Sequence, residues 1–157
     1  MKFSTREDIE APAEVVFEAL SDFTSFERTA VRKGVDVARS NPLAEVGVGL
    51  SWSLRFPVRG KMRRVMCEMI RFETPSYIGF KGHRNGYELE LSLALVALSK
   101  ARTRLGVEFE VKPRGLASRL MLQSIRLSKA TYARRFEARV QKFASDLELK
   151  QIRRRQN

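Results

Sequence analysis

The sequence has very few of the residues that build disulfide frameworks and metal centres. Its 157 residues include one cysteine, Cys67, and one histidine, His83. A disulfide within the chain and a zinc site made of several His or Cys ligands are therefore excluded by number alone. His83 lies in a predicted turn, where we expect it to be exposed. Cys67 lies on a predicted strand, where we expect a small buried side chain rather than a nucleophile.

Long apolar runs are also missing. The longest unbroken run covers residues 93–98, whereas a membrane-spanning helix needs ~20 residues. The first residues mix charges and show no signal-peptide pattern. Gly47 and Gly49 are followed by Trp52, so the third glycine of a dinucleotide-binding loop is missing. We expect a cytoplasmic protein without cofactor or metal, whose membrane contact, if there is any, is peripheral.

Positive charge is what the sequence has in excess. Lysine and arginine total 30 against 18 acidic residues, which gives a net charge of +12. Residues 112–157 alone contain 13 basic and three acidic residues, and residues 55–71 contain six and one. Because 43% of the chain is hydrophobic, this charge does not predict disorder. It predicts a folded domain with a localised positive field.

The first two thirds of the chain show the alternation of β-strands. One strand is predicted over 2–9, and a helix begins at Pro12, a residue that suits the first helical turn. A second short helix is predicted over 23–28. Further strands are predicted around residues 35–38, 48–56, 61–72, 77–81, 89–95 and 105–111, with Asn85-Gly86 as the clearest tight turn. The pattern predicts an antiparallel meander.

The last third predicts one long helix from Leu116. Its apolar residues recur at spacings of three, four or seven and would form one stripe over about 35 residues, roughly 50 Å. These residues are Met121, Ile125, Tyr132, Phe136, Val140, Phe143 and Leu147. We expect the stripe to dock on the apolar face of the sheet. Residues 1–150 are predicted to form a single domain, and residues 151–157 a basic, frayed tail.

Four segments carry a resemblance to a known family. They are Ile9-Glu-Ala-Pro-Ala-Glu-Val-Val-Phe17 with Leu20 and Asp22, Val46-Gly-Val-Gly49, Ile70-Arg-Phe-Glu-Thr-Pro-Ser-Tyr-Ile-Gly-Phe80, and the final helix. In this order they resemble the START-like superfamily of polyketide cyclases, dehydrases and lipid-transport proteins (SRPBCC). The resemblance implies an α+β helix-grip fold, in which a curved seven-stranded antiparallel sheet surrounds a long C-terminal helix and two short helices follow the first strand. It also implies a cavity for an apolar or amphipathic small molecule, but no particular reaction.

The inferred inward faces supply the candidate cavity residues. They are Trp52, Leu54, Phe56, Arg64, Met66, Glu68, Ile78, Phe80, Leu89, Leu91, Leu93, Phe109, Tyr132 and Phe136, and the same face would include Ile70, Val107 and Ile125. Each of them could equally serve packing alone, since every domain needs an apolar face.

The facing of strand 61–72 is ambiguous. If Ile70 and Phe72 face inward, strict alternation turns Glu68 and Arg64 inward as well, as the polar end of the cavity beside the hydroxyls of Tyr87 and Tyr132. A β-bulge would instead turn Val65, Cys67 and Met69 inward and both charges outward. No catalytic residue is assigned, and Glu68 is the one candidate for a general acid or base.

Three functions follow from these patterns. The first is binding or transfer of a hydrophobic, lipid- or polyketide-like molecule between sheet and helix. The second is a cyclase or dehydrase acting on a bound aromatic or polyketide-like substrate. The third is a ribosome- or RNA-associated module, because one branch of the resembled superfamily is ribosome-associated.

The basic C-terminal helix supplies a candidate contact with an anionic surface, either a membrane or RNA. The predicted contact residues are Arg126, Lys129, Arg134, Arg135 and Arg139. RNA has less support than a membrane, because the strands show no exposed array of aromatic residues for stacking bases. A plainly solvated face is the third interpretation.

Overall fold

The computed structural model describes residues 1–42, 45–58 and 60–157. Seven antiparallel strands form one sheet in the order β1-β7-β6-β5-β4-β3-β2. The strands are β1 (Lys2–Ile9), β2 (Asp36–Arg39), β3 (Ser51–Val58), β4 (Lys61–Glu73), β5 (Tyr77–Arg84), β6 (Tyr87–Ser99) and β7 (Arg102–Pro113). The helices are α1 (Ala13–Leu20), α2 (Phe23–Arg32), α3 (Leu116–Ile125) and α4 (Lys129–Gln156). This is the predicted helix-grip arrangement.

Local sequence explains the turns and the two short helices. Gly86 ends the predicted turn between β5 and β6 with φ of 80°, a conformation that glycine adopts without steric cost. Helix α1 begins one residue later than predicted, because Pro12 is extended and precedes the helix. Asp22 starts α2 by accepting a hydrogen bond from the backbone N–H of Ser25 at 3.2 Å, which satisfies a donor left free at the helix start. Helix α2 then runs to Arg32, beyond the predicted end at residue 28.

The C-terminal helix is divided, contrary to the prediction of one continuous helix from Leu116. A single 3-10 turn, Arg126–Ser128, separates α3 from α4. No proline or glycine causes the break. The Ser124 hydroxyl donates to the carbonyl oxygen of Met121 at 2.7 Å, a local bond that competes with regular helical hydrogen bonding. At the other end, α4 continues to Gln156, so the basic residues of the predicted tail are helical, and the fraying of residues 151–157 stays a prediction.

The core lies between α1, the end of α4 and one face of the sheet, called here the inner face. Ile9, Met69 and Ile78 are fully buried there, and Ala144 and Leu147 of α4 join the same cluster. Before the break, the buried residues of the C-terminal helix differ from those of the predicted stripe. Met121 is exposed, while Ser118 and Leu122 are the buried residues of α3.

Candidate functional site

A cavity of about 560 Å³ separates the inner face of the sheet from α2 and α4. Every strand except β1 contributes to its wall. Its lining residues are Leu20, Phe23, Phe26, Glu27, Ala30, Val37, Trp52, Leu54, Val65, Cys67, Phe80, Lys81, Gly82, Leu89, Leu91, Leu93, Leu105, Val107, Phe109, Phe136, Arg139, Val140 and Phe143. The wall is therefore apolar with few charged side chains, which is the usual character of a small-molecule site.

Three aromatic rings form one compact part of this wall. The Phe23 ring of α2 lies edge-on to the ring of Trp52, with centroids 5.3 Å apart. Phe80 of β5 packs on both, at 6.0 Å from each. Aromatic pairs in such tilted arrangements attract each other beyond their buried area. The cluster fixes α2 against β3 and β5.

A second aromatic pair spans the space between α2 and α4. Phe26 and Phe143 are stacked with centroids 6.2 Å apart. Phe26 is exposed on its other side, so this pair forms part of the rim. Nearer the start of α4, the ring of Phe136 lies 6.1 Å from that of Phe3 on β1. These contacts hold α4 across the cavity.

One carboxylate belongs to the wall and is held by two neighbours. Oε1 of Glu27 accepts hydrogen bonds from Nε of Arg39 at 2.9 Å and from Nε1 of Trp52 at 3.2 Å, and it also pairs with the Arg39 Nη2. The Arg39 and Glu27 side chains are 14% and 26% exposed. The cluster holds α2 against β2 and β3. It also satisfies the indole N–H, the one polar group of the Trp52 side chain.

The cavity wall also contains the thiol of Cys67. It stands on β4 opposite Trp52, and burial raises the pKa of its thiol, an effect that a backbone hydrogen bond from Trp52 partly offsets. A raised pKa keeps the thiol protonated near neutral pH, and the protonated form is a poor nucleophile.

The predicted cavity residues divide into three groups. Trp52, Leu54, Phe80, Leu89, Leu91, Leu93, Phe109 and Phe136 lie on the cavity wall. Ile78 is fully buried in the core and Phe56 is half-buried, and neither lines the cavity. Tyr132 is exposed on α4 and also lies outside the lining, one turn before Phe136, the first residue of α4 on the wall.

The third group lies on β4, where strict alternation is wrong and the bulge interpretation is right. The register with β5 shifts between Met69 and Arg71. Val65 and Met69 are consequently buried on the inner face. The predicted cavity positions Arg64, Met66 and Glu68 are exposed on the opposite face, as is Ile70. Nε of Arg64 donates there to the hydroxyl of Ser53 at 2.9 Å. Glu68 therefore does not line the cavity and is not placed to act there as a general acid or base.

The predicted basic contact residues are all exposed. Arg139 differs from the other four because it also lines the cavity, between Phe136 and Phe143 on α4. Arg126, Lys129, Arg134 and Arg135 lie outside the lining.

Sequence reasoning missed the contribution of α2. Phe23, Phe26, Glu27 and Ala30 recur at spacings of three or four, which is the signature of one helix face. The signal was present, but it predicts only which residues share a face. It does not show that this face covers the open side of the sheet.

The described residues offer neither a cluster of metal ligands nor a membrane-spanning helix. Within residues 1–42, 45–58 and 60–157, no group of three or more His, Cys, Asp or Glu side chains is arranged to hold a metal ion. None of the helices in these ranges combines the length and apolar character that crossing a bilayer requires.

The family model for polyketide cyclases, dehydrases and lipid-transport proteins matches residues 1–148. The chain belongs to this family. No curated protein matches the chain significantly.

Several solved structures share the fold at low sequence identity. A Thermus thermophilus protein is 14% identical with a TM-score of 0.67, covering 94% of this chain and 97% of its own. Norcoclaurine synthase from Thalictrum flavum, in complex with dopamine and hydroxybenzaldehyde, is 12% identical with a TM-score of 0.65 over 96% of this chain and 87% of its own. The Zhui aromatase/cyclase from a Streptomyces species is 14% identical with a TM-score of 0.63 over 94% and 93%. At these identities the likeness establishes the helix-grip fold alone.

Proposed function

We propose that the protein binds a hydrophobic or amphipathic small molecule in the cavity beneath α4, and carries or presents it rather than transforming it. The observation that carries the proposal is the cavity itself. Its volume of about 560 Å³ lies within the range of about 300–1,000 Å³ found for small-molecule sites. The aliphatic side chains of β6 and β7 and the aromatic rings of α2, β3 and β5 would remove an apolar ligand from water.

The family gives this proposal its ligand class. Its description joins polyketide cyclases and dehydrases with lipid transport, and two neighbours of the fold are named as an aromatase/cyclase and a norcoclaurine synthase. A lipid-like or polyketide-like molecule fits an apolar wall of this size. We extend this class to the present chain on the strength of the wall's chemistry.

A cyclase or dehydrase is the alternative function, and the cavity wall gives it less support because its polar side chains are poorly suited to catalysis. General acid-base catalysis needs a titratable group free to reach the substrate. The Glu27 carboxylate is held by Arg39 and Trp52, and burial raises the pKa of the Cys67 thiol. Arg139 brings a fixed positive charge, which suits an anionic group on the ligand better than it suits proton transfer.

Native mass spectrometry of protein purified from its own host tests the proposal. We expect a co-purifying apolar molecule at one per chain. The matched variants are Leu91→Trp, which fills the cavity, and Met66→Trp, which places the same bulk on the opposite face of the sheet. Uptake of the neutral apolar probe phenylnaphthylamine should fall in Leu91→Trp and persist in Met66→Trp. Equal uptake by two folded variants would contradict binding in this cavity.

We further propose that the protein works in the cytoplasm and meets an anionic membrane surface through its basic C-terminal region. Support comes from the net charge of +12 and from the exposure of the four arginine and lysine residues outside the cavity lining, Arg126, Lys129, Arg134 and Arg135. Ribosome or RNA contact would use the same charges, and the vesicle and RNA measurements described below separate the two.

A further inference from the structure

Helix α3 and the turn after it expose leucine side chains that nothing in the described chain covers. Leu116, Leu120 and Leu127 are 76%, 58% and 93% exposed. Leu116 and Leu120 are four residues apart and share one face of α3, and Leu127 follows in the 3-10 turn. Ser118 and Leu122 are buried on the other side. The segment thus has an apolar outer face as well as an apolar inner contact, which is unusual for a surface helix that faces only water.

The charges around these leucines are all of one sign. Residues 111–136 contain seven lysine or arginine residues and no acidic residue. Lys112 and Arg114 pair with Glu90 and Glu88 of β6. The other five cations, which take part in no ion pair in the part of the chain that the structure describes, are Arg119, Arg126, Lys129, Arg134 and Arg135.

We infer that this surface docks on an anionic lipid bilayer. The α3 patch is defined as Leu116, Arg119, Leu120, Arg126, Leu127 and Lys129. Its leucines would enter the boundary between headgroups and acyl chains, while its cations would contact anionic headgroups. This combination favours a bilayer over RNA, because phosphates attract the cations but offer no apolar environment to the leucines.

The inference rests on the proposed function for its consequence, because the patch lies near one end of the cavity. Phe136, which lines the cavity, is seven residues beyond Lys129 on α4. At 1.5 Å per residue this is roughly 10 Å along the helix axis. A docked α3 patch would therefore bring that end of the cavity close to the bilayer, where a lipid-like ligand can be exchanged.

Vesicle co-sedimentation with the full chain tests the leucines. The vesicles are phosphatidylcholine, with or without phosphatidylglycerol. We expect Leu120→Ser combined with Leu127→Ser to weaken binding to the anionic vesicles at least tenfold, about 1.4 kcal/mol. Val96→Ser is the matched control. Val96 is similarly exposed, but it lies near the C-terminal end of β6 and outside the α3 patch. This variant should bind like the wild type. All these side chains are exposed, and circular dichroism on each variant verifies the fold.

The charges are tested by a matched pair of triple variants. Arg119→Gln, Arg126→Gln and Lys129→Gln remove three charges from the α3 patch. Arg153→Gln, Arg154→Gln and Arg155→Gln remove three from the end of α4. We expect about a fivefold loss of vesicle binding per charge in the first triple variant and a much smaller loss in the second. Raising salt from 0.1 M to 1 M shortens the Debye length from about 10 Å to about 3 Å, so the binding that remains at high salt should depend on the leucines.

Three outcomes overturn the inference: the double serine variant binds anionic vesicles as the wild type does; the wild type ignores vesicles; or the first triple variant loses RNA co-sedimentation while its vesicle binding is unchanged. Phenylnaphthylamine uptake separates this inference from the proposed function. The serine variants should still take up the probe. Wild type that binds vesicles but takes up no probe would refute the cavity function and leave the docking surface standing.

Discussion

Replacing Glu27 by glutamine should measurably weaken the fold, because this carboxylate joins α2 to the sheet at the cavity wall. Its Oε1 accepts hydrogen bonds from Arg39 at 2.9 Å and from Trp52 at 3.2 Å. The glutamine keeps an oxygen acceptor but loses the charge that faces the guanidinium group. With the two side chains only 26% and 14% exposed, water compensates the loss poorly.

The magnitude follows from the burial of the pair. Hydrogen bonds to charged groups contribute roughly 1.5–3 kcal/mol each, and removing one partner of a fully buried pair costs about 3–5 kcal/mol. For a partly buried pair that keeps one acceptor we expect a loss of about 2 kcal/mol in the free energy of unfolding. For a chain of this length that loss lowers Tm by roughly 4–8 °C.

Urea unfolding measures the effect, with Asp146→Asn as the matched control. Asp146 pairs with Lys142 at 2.8 Å, but these side chains are 52% and 75% exposed, so the control should lose no more than ~0.5 kcal/mol. Arg39→Gln should resemble Glu27→Gln, and the double variant should lose less than the sum of the two. If Glu27→Gln unfolds at the same urea concentration as Asp146→Asn, the cluster does not hold α2 on the sheet.

Three further results are expected. A hydrogen bond from Arg104 lowers the pKa of the half-buried Asp8 carboxyl, so its contribution to stability is present above the unfolded pKa of about 4 and is lost as the pH falls through the lower folded value. Urea titrations of wild type and Asp8→Asn should therefore converge in acid, and a constant difference would contradict the pairing. Cys67 should react slowly with iodoacetamide, and more slowly when phenylnaphthylamine is bound; a rate unaffected by the probe would mean that the thiol does not face the bound molecule. Phe26→Ala should open the rim and raise the rate of probe entry in stopped-flow measurements, whereas an unchanged rate would place the route elsewhere.

The sheet could be predicted because its signals are local. Alternation along β3 and β6 identifies the inner face without any knowledge of neighbouring strands. For that reason Trp52, Leu54, Leu91 and Leu93 could be selected from the sequence and do lie on the cavity wall. The Asn85-Gly86 turn adds the hairpin register, and the order of elements then matches the family.

Strand β4 shows where alternation stops being sufficient. A bulge near Ile70 changes which side chains face inward, and nothing in the residue pattern separates Val65, Cys67 and Met69 from their apolar neighbours Met66 and Ile70. The two facings differ only in whether Arg64 and Glu68 are buried. Burying unpaired charges is costly, and the structure keeps Arg64 and Glu68 exposed.

The prediction of one continuous C-terminal helix was wrong for a different physical reason. The spacing of Met121, Ile125 and Tyr132 allows one helix, and a side-chain hydrogen bond at Ser124 is invisible to hydrophobic periodicity. The position of α2 over the cavity likewise depends on tertiary structure. It is set by contacts between residues far apart in the chain, such as Phe26 with Phe143, which a local sequence pattern does not reveal.

Fluorescence of the chain's single tryptophan reports directly on ligand binding beneath α4, because Trp52 lies on the cavity wall. Titration with phenylnaphthylamine should transfer excitation from Trp52 to the bound probe and saturate at one probe per chain. Leu91→Phe, which adds bulk inside the cavity, should weaken this transfer, and Met66→Phe on the opposite face should leave it unchanged. Saturable transfer of this kind is expected if the probe binds beneath α4. Quenching that rises without saturation, or that is the same in the two folded variants, would contradict a ligand site beneath α4.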